Sequence, residues 1–157
     1  MRIGIDIDGV LTDVEQFTID YETKFCYENN LTYRIKPNEY DDAKALGISA
    51  ENCEKFWNKY IKYYATEYKA RDFASEVIKK LREDGHEIYI VTARNEYGLT
   101  GEDYGKMKEF VKEWLKGNNI YYDKIVHTEE TKLPYCVGNY IDIMIEDKPE
   151  NLKEIST

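Results

Sequence analysis

An α/β fold with an open parallel sheet, and a helical insertion after its first strand, is what this sequence predicts. Three observations carry that expectation. Short apolar runs of strand type alternate with amphipathic helical stretches, as βα crossovers require. One run, Glu87-Ile-Tyr-Ile-Val-Thr92, is almost continuously apolar, as strands covered on both faces are. Between the first and second runs the composition changes: eight of the fifteen tyrosines fall between Asp13 and Ala70.

The elements follow in order. Ile3, Ile5 and Ile7 form a first strand with Asp6 and Asp8 inside it and Gly9 at its end. Glu15 to Glu28 reads as a helix with Phe17, Tyr21 and Phe25 on one side. Pro37 marks a loop, and Asp41 or Asp42 caps a short helix ending at Gly47. Ser49 caps a longer helix, Ala50 to about Tyr68, whose Cys53, Phe56, Trp57, Tyr60, Ile61 and Tyr64 share one side. Aromatics at helical spacing pack as core by default, with one or two left to face a ligand. Asp72 is expected to cap a helix carrying Phe73, Val77, Ile78 and Leu81, stopped by Gly85. The strand 87–92 comes next, then a loop through Gly98 and Gly101. The helix with Met107, Phe110, Val111, Trp114 and Leu115 follows, closed by Gly117. Lys124 to His127 is a weaker strand, and Lys132 to about Tyr140 a short helix with Pro134 in its first turn. Ile141 to Ile145 is the last strand and runs into Glu146-Asp147, after which Pro149 opens a final helix.

Bulk properties narrow the function. A chain of 157 residues suits one domain with a modest insertion. Cys26, Cys53 and Cys136 are odd in number and widely spaced, which argues against a disulfide scaffold or zinc cluster and suits a reducing cytoplasm. The chain opens directly on a strand, so no signal peptide is expected. No apolar run approaches the roughly 20 residues that span a bilayer. A formal net charge of −9 disfavours nucleic-acid polymers but admits a small phosphorylated metabolite if a cation neutralises the site locally. Oligomeric state is not legible.

The chemistry-bearing residues gather where such a sheet binds ligands, at the carboxyl ends of strands. Asp6 and Asp8, Thr92-Ala93-Arg94, and Glu146-Asp147 all sit there. Residues two apart in a strand share a face roughly 6–7 Å apart, and close carboxylates repel unless protonated or bridged by positive charge. The plainer alternative is a frayed strand end whose aspartates face water and cap the next turn. Asp6, Asp8, Glu146 and Asp147 together offer hard oxygen ligands of the kind Mg²⁺ takes. A calcium-loop reading of Asp-x-Asp-Gly fails for want of the later loop ligands.

Asp6-Ile-Asp8-Gly-Val-Leu-Thr12, Ile90-Val-Thr92, Lys132 and Ile143-Met-Ile-Glu146-Asp147 resemble, in order, the four signature motifs of the haloacid dehalogenase-like phosphatases. The resemblance implies a Rossmann-like core over residues 1–13 and 70–157 and a helical cap over 14–69. It implies Asp6 as nucleophile forming an aspartyl-phosphate, and Asp8 as acid and base. Thr92, Ala93 and Lys132 would hold phosphate; Asp6, Asp8, Asp147 and Glu146 would serve Mg²⁺. The second aspartate argues against dehalogenation, which needs no acid for an alcohol leaving group. Arg94 and Asn95 are candidate phosphate or substrate contacts, the alternative being a surface ion pair or a cap. Asp13 is a candidate for metal support or a plain helix cap. His127 is expected to be a hydrogen-bonded structural residue and His86 solvent-facing. The Thr-Ala-Arg turn, the aromatic helical insertion and the Ile-Glu-Asp-Lys-Pro-Glu-Asn ending are most similar to the 5′(3′)-deoxyribonucleotidase group. That implies a cytoplasmic Mg²⁺-dependent phosphomonoesterase acting on a small nucleotide. The alternatives are a phosphatase for sugar phosphates or another metabolite, and a non-catalytic phosphate-binding protein. In the family the core continues with a further strand and helix beyond the fourth motif, so this sequence is expected to be a minimal or shortened version.

Overall fold

The computed structural model describes residues 1–156. Four parallel strands form one sheet in the order β3-β2-β1-β4. They are β1 (Arg2–Ile5), β2 (Glu87–Thr92), β3 (Lys124–His127) and β4 (Ile143–Ile145). From β1 the chain builds outward through β2 to β3, then crosses back to place β4 on the other side of β1. The order reverses between β1 and β4, so the crevice at their carboxyl ends is the natural ligand site.

Both faces of the sheet carry helices. Ile3, Ile5, Ile88 and Ile90 pack with Ile78 of α4 (Ala74–Glu83) and with Phe110, Val111, Trp114 and Leu115 of α5 (Met107–Gly117). Tyr89, Val91 and Val126 point the other way, against Tyr135 of α6 (Leu133–Gly138), Ile141 and Met144. This alternation is the period-2 pattern of a strand buried twice over. The β4 edge is less covered, leaving Ile143 and Ile145 45% and 41% exposed.

Residues between β1 and α4 form α1 (Val14–Glu28), α2 (Asp42–Leu46) and α3 (Ala50–Thr66). Asp13, Asp41 and Ser49 accept the backbone N–H groups of Gln16, Lys44 and Asn52, so each helix starts where its cap predicts. Gly47 ends α2 at φ +68°. The three helices enclose an aromatic cluster around the fully buried Phe17, with Tyr21, Tyr64 and Tyr68 rings at 4.5, 4.7 and 4.9 Å. They are joined to the sheet's helical layer where α3 packs on α5 and Trp114 Nε1 donates to the Tyr68 carbonyl at 2.6 Å.

Four details differ from the sequence reading. The first strand stops at Ile5, and Ile7–Leu11 form a short helical turn capped by Asp6, so Asp6 and Asp8 lie past the strand rather than inside it. Asp72 caps nothing: Phe73 takes the cap position of α4 with φ +66° and is 69% exposed, as is Val77 at 56%. Only Ile78 of that helix is fully buried. β4 starts at Ile143 rather than Ile141, because the Ile141 N–H is taken by the Cys136 carbonyl at the end of α6. The helix after Lys132 ends at Gly138, with Tyr140 beyond it at φ +54°.

Candidate active site

The β1–β4 ladder extends one residue past β1, the Asp6 N–H donating to the Ile145 carbonyl at 3.0 Å. This fixes Asp6 at the mouth of the crevice, where its Oδ1 accepts from the Ile7 N–H at 2.7 Å. The chain then turns through Gly9 at φ +78°, where any Cβ would collide with the Asp147 carboxylate. Only glycine meets both demands, the left-handed backbone and the close approach.

Lys132, at the start of α6, is 2% exposed and bridges two acids. Its Nζ lies 2.7 Å from Asp6 Oδ2 and 2.7 Å from Glu146 Oε2. Glu146 is saturated: Oε1 accepts from the Asp147 and Lys148 N–H groups, both at 3.0 Å, and Oε2 also accepts from Asn151 Nδ2 at 3.1 Å. Burial opposes its ionisation, but Lys132 and the Lys148 N–H outweigh it and hold the carboxyl at about 2. Asp6 goes the other way: burial pushes its carboxyl up, Lys132 pulls it down, and Asp8 and Glu146 push again. Asp147 is raised to about 6, first by burial and then by Glu146, and no salt bridge reaches it among the described residues. Asp6, Glu146 and Asp147 can each turn an oxygen to within 4.8 Å of the others. An all-oxygen set of this kind, carrying one acid without a cationic partner, fits a divalent cation.

Asp8 has different company. Arg94 reaches it with Nε at 3.1 Å from each carboxylate oxygen and Nη2 at 2.8 Å from Oδ1. Tyr64, from α3, donates its hydroxyl to Oδ1 at 2.6 Å and shares a 2.7 Å hydrogen bond with Thr12. Burial opposes ionisation here too, but the guanidinium and the two side-chain donors win, and the Asp8 carboxyl lies below its ordinary value. Arg94 lies between the Tyr64 and Trp114 rings, 5.1 and 5.5 Å from their centroids, and its Nη1 is buried without a partner. Thr92, at the end of β2, is fully buried and accepts the Arg94 N–H at 3.2 Å. These groups open on a cavity of about 950 Å³. It runs from Asp6, Asp8, Lys132 and Asp147 past Ala93 and Arg94 to Thr18, Leu46 and Trp57 of the helical insertion.

A nucleotidase of Clostridium acetobutylicum is 30% identical over 157 residues, a match covering 99% of this chain and 75% of that protein. The chain belongs to the same family of nucleotidases. A candidate nucleotidase of Bacillus cereus is 27% identical over 162 residues, covering 99% of this chain and 80% of that one. Among solved structures, a haloacid dehalogenase-like hydrolase of Streptococcus pneumoniae superposes with a TM-score of 0.62 at 15% identity, covering 99% of this chain and 79% of that one. No family model matches the chain. The fold is thus that of the haloacid dehalogenase-like hydrolases, and the protein is a hydrolase of phosphoric monoesters.

In this phosphatase the residues singled out from sequence converge. Asp6, Asp8, Ala93, Arg94, Lys132, Glu146 and Asp147 line one cavity, with Thr92 directly behind Ala93. Arg94 is no surface ion pair: its side chain is 5% exposed and clamps Asp8. Asp13 caps α1 and pairs with Arg71 at 2.9 Å. His127 carries a buried Nδ1 without a partner rather than the expected hydrogen bond, and His86 is half-buried, its Nδ1 likewise unpartnered. Three participants escaped the sequence reading. Tyr64 counted only as one more aromatic on a buried stripe, and Thr12 only as part of a motif. Asn151, 2% exposed, likewise counted only as the last residue of the Ile-Glu-Asp-Lys-Pro-Glu-Asn ending.

Proposed function

We propose that the protein is a Mg²⁺-dependent phosphomonoesterase that works through an aspartyl-phosphate, with small nucleotides as its substrates and residues 14–69 as a cap over the site. The observation that carries this reading is the pairing of Asp6 with Lys132 at 2.7 Å, two residues from an Asp8 held by other partners. Two carboxylates just past the end of one strand, in contrasting environments, suit two different tasks.

Asp6 attacks phosphorus and the ester oxygen departs, so a hard hydrolysis becomes two easier steps. Lys132 and the Thr92-Ala93 turn hold the phosphoryl oxygens, and the unpartnered Arg94 Nη1 is free to join them. As held here Asp8 only accepts hydrogen bonds, the state needed to take a proton from the water that opens the aspartyl-phosphate. For the first step it must enter protonated: once substrate phosphate draws Arg94 away, Asp8 takes up the proton of a substrate monoanion or of solvent and delivers it to the leaving oxygen. A Mg²⁺ ion held by Asp6, the Asp8 carbonyl and Asp147 would neutralise the phosphoryl charge and keep the Asp6 and Asp147 carboxylates ionised. Glu146, with its oxygens already engaged, serves by fixing Lys132 and orienting Asp147. The nucleotide preference leans on the nucleotidase relatives and on the size of the cavity.

Hydrolysis of p-nitrophenyl phosphate with and without Mg²⁺ tests the reaction. Turnover should require the metal and fall by at least about 10³-fold in Asp6→Asn. Metal-independent turnover, or full activity in that variant, would sink the mechanism. A phosphometabolite panel then tests the substrate class, with faster hydrolysis of sugar phosphates than of any nucleotide counting against it.

A further inference from the structure

Tyr64 brings a hydroxyl from the helical insertion to Asp8 and takes no part in holding phosphate. The residue is 3% exposed, its ring set among those of Phe17, Tyr68 and Trp57 with centroids 4.7, 5.7 and 5.8 Å away. Packing on three sides leaves the hydroxyl one direction to point. It donates to Asp8 Oδ1 at 2.6 Å and meets Thr12 Oγ1 at 2.7 Å. A phenol carries one proton, so with that proton on Asp8 the second bond is donated by Thr12. The two hydroxyls form a chain that ends on one oxygen of one carboxylate.

The Asp8 oxygens are therefore not equivalent. Oδ1 accepts from Tyr64, from Arg94 Nη2 at 2.8 Å and from Arg94 Nε at 3.1 Å. Among the described residues, Oδ2 accepts only from Arg94 Nε, at 3.1 Å. Once incoming phosphate draws the guanidinium away, Oδ1 keeps Tyr64 and Oδ2 keeps no partner. Asp8 lines the cavity, so the oxygen left free belongs to a side chain that substrate can reach.

We propose that Tyr64, backed by Thr12, is a positioning residue for the acid–base step, holding Asp8 Oδ1 so that Oδ2 carries the proton to the leaving oxygen. The inference rests on the phosphomonoesterase reading. As the Asp6 carboxylate forms its bond to phosphorus, the ester P–O bond breaks and its electron pair stays on the leaving oxygen. That oxygen takes the proton from Asp8 Oδ2, and the charge left on Asp8 is still met by the Tyr64 hydroxyl. The Tyr64 proton stays on its own oxygen throughout. Because Tyr64 belongs to α3 and Asp8 follows β1, the acid is aimed from the insertion rather than from the sheet. A reacting group misplaced by about 1 Å can lose about 10²-fold in rate, so this single bond has room to matter.

The test compares kcat/KM, which covers the steps up to departure of the leaving group, for phenyl phosphate and p-nitrophenyl phosphate. The two esters are alike in shape, but p-nitrophenolate leaves without a proton and the more basic phenolate needs one. Tyr64→Phe keeps the ring and removes the hydroxyl. It should lower kcat/KM about 20-fold on phenyl phosphate and less than about threefold on p-nitrophenyl phosphate. Thr12→Val, which leaves the phenol without its second bond, should show the same split at about fivefold. Near-UV circular dichroism establishes that each variant is folded; should Tyr64→Phe fail, Thr12→Val decides. Equal losses on both esters, as a merely structural role would give, or no loss on either, overturn the positioning role while leaving the phosphatase intact. A wild type inactive on both esters removes the underlying reading and the positioning role with it.

Discussion

Lys132 holds the site together because it is the counter-ion of two buried acids. Replacing it by methionine keeps the bulk and removes the charge, leaving Asp6 and Glu146 uncompensated. Breaking such a pair from one side costs about 3–5 kcal/mol, so Lys132→Met should unfold at markedly lower urea as well as lose turnover. Gly9→Ala should fail differently. The φ of +78° costs about 1–2 kcal/mol for a residue with a Cβ, and the new methyl would displace Asp147. Mg²⁺ affinity should therefore fall more than the melting temperature does; calorimetric titration and thermal melts separate the two. Much of this chemistry was legible because charge in an apolar run is conspicuous: Asp6, Asp8, Glu146 and Asp147 each follow closely on the isoleucines of β1 or β4. Lys132 carries no such signal and gains meaning only from its place before a helix. Tyr64 carried none, because a tyrosine that fills a core and one that also donates to Asp8 look alike in a helical stripe.

Elements were legible where their ends are chemically marked. Asp13, Asp41 and Ser49 supply caps, Gly47 supplies a left-handed stop, and the three helices begin accordingly. Asp72 carried the same mark without effect, since Phe73 adopts φ +66° and α4 starts without a side-chain cap. Phe73 is exposed, so neither periodicity nor burial announces that turn. The strand register was legible from alternation in β2, but β4 is three residues long and its isoleucines face an open edge, so its start was not. At this scale the aromatic cluster should govern the insertion's stability. Phe17, fully buried and stacked at 4.5 Å on Tyr21, is its hub. Phe17→Ala should cost about 3–5 kcal/mol. Amide hydrogen exchange should speed first in α1 and α3, with β1 and β2 following only at the global limit. Uniform acceleration across the chain would mean that insertion and sheet unfold as one unit.

For the whole molecule, the acids set a stability that depends on pH in an unusual direction. Glu22 at about 8 and Asp42 at about 6 are both raised, burial being the main cause in each. A raised acid binds more protons folded than unfolded, so its contribution is fully present below the ordinary carboxyl range and is lost as pH climbs through the folded value. Glu146, lowered to about 2, acts oppositely, but only below the ordinary glutamate range. Between pH 5.5 and 8 the raised groups therefore dominate, and the self-repulsion of a chain carrying −9 pushes the same way. Metal-free protein should be more stable at pH 5.5 than at pH 8, by about 1–3 kcal/mol, and Glu22→Gln should recover part of the difference at pH 8. Mg²⁺ should work against this trend. In the proposed site Asp147, raised to about 6, would lose its proton on taking the ion, so metal should add most stability where the apo protein has least. Urea midpoints at the two pH values, in EDTA and in millimolar Mg²⁺, decide the matter. A metal-free protein that is firmer at pH 8, or a Mg²⁺ increment larger at pH 5.5, would mean that the buried acids do not carry the protons assigned to them.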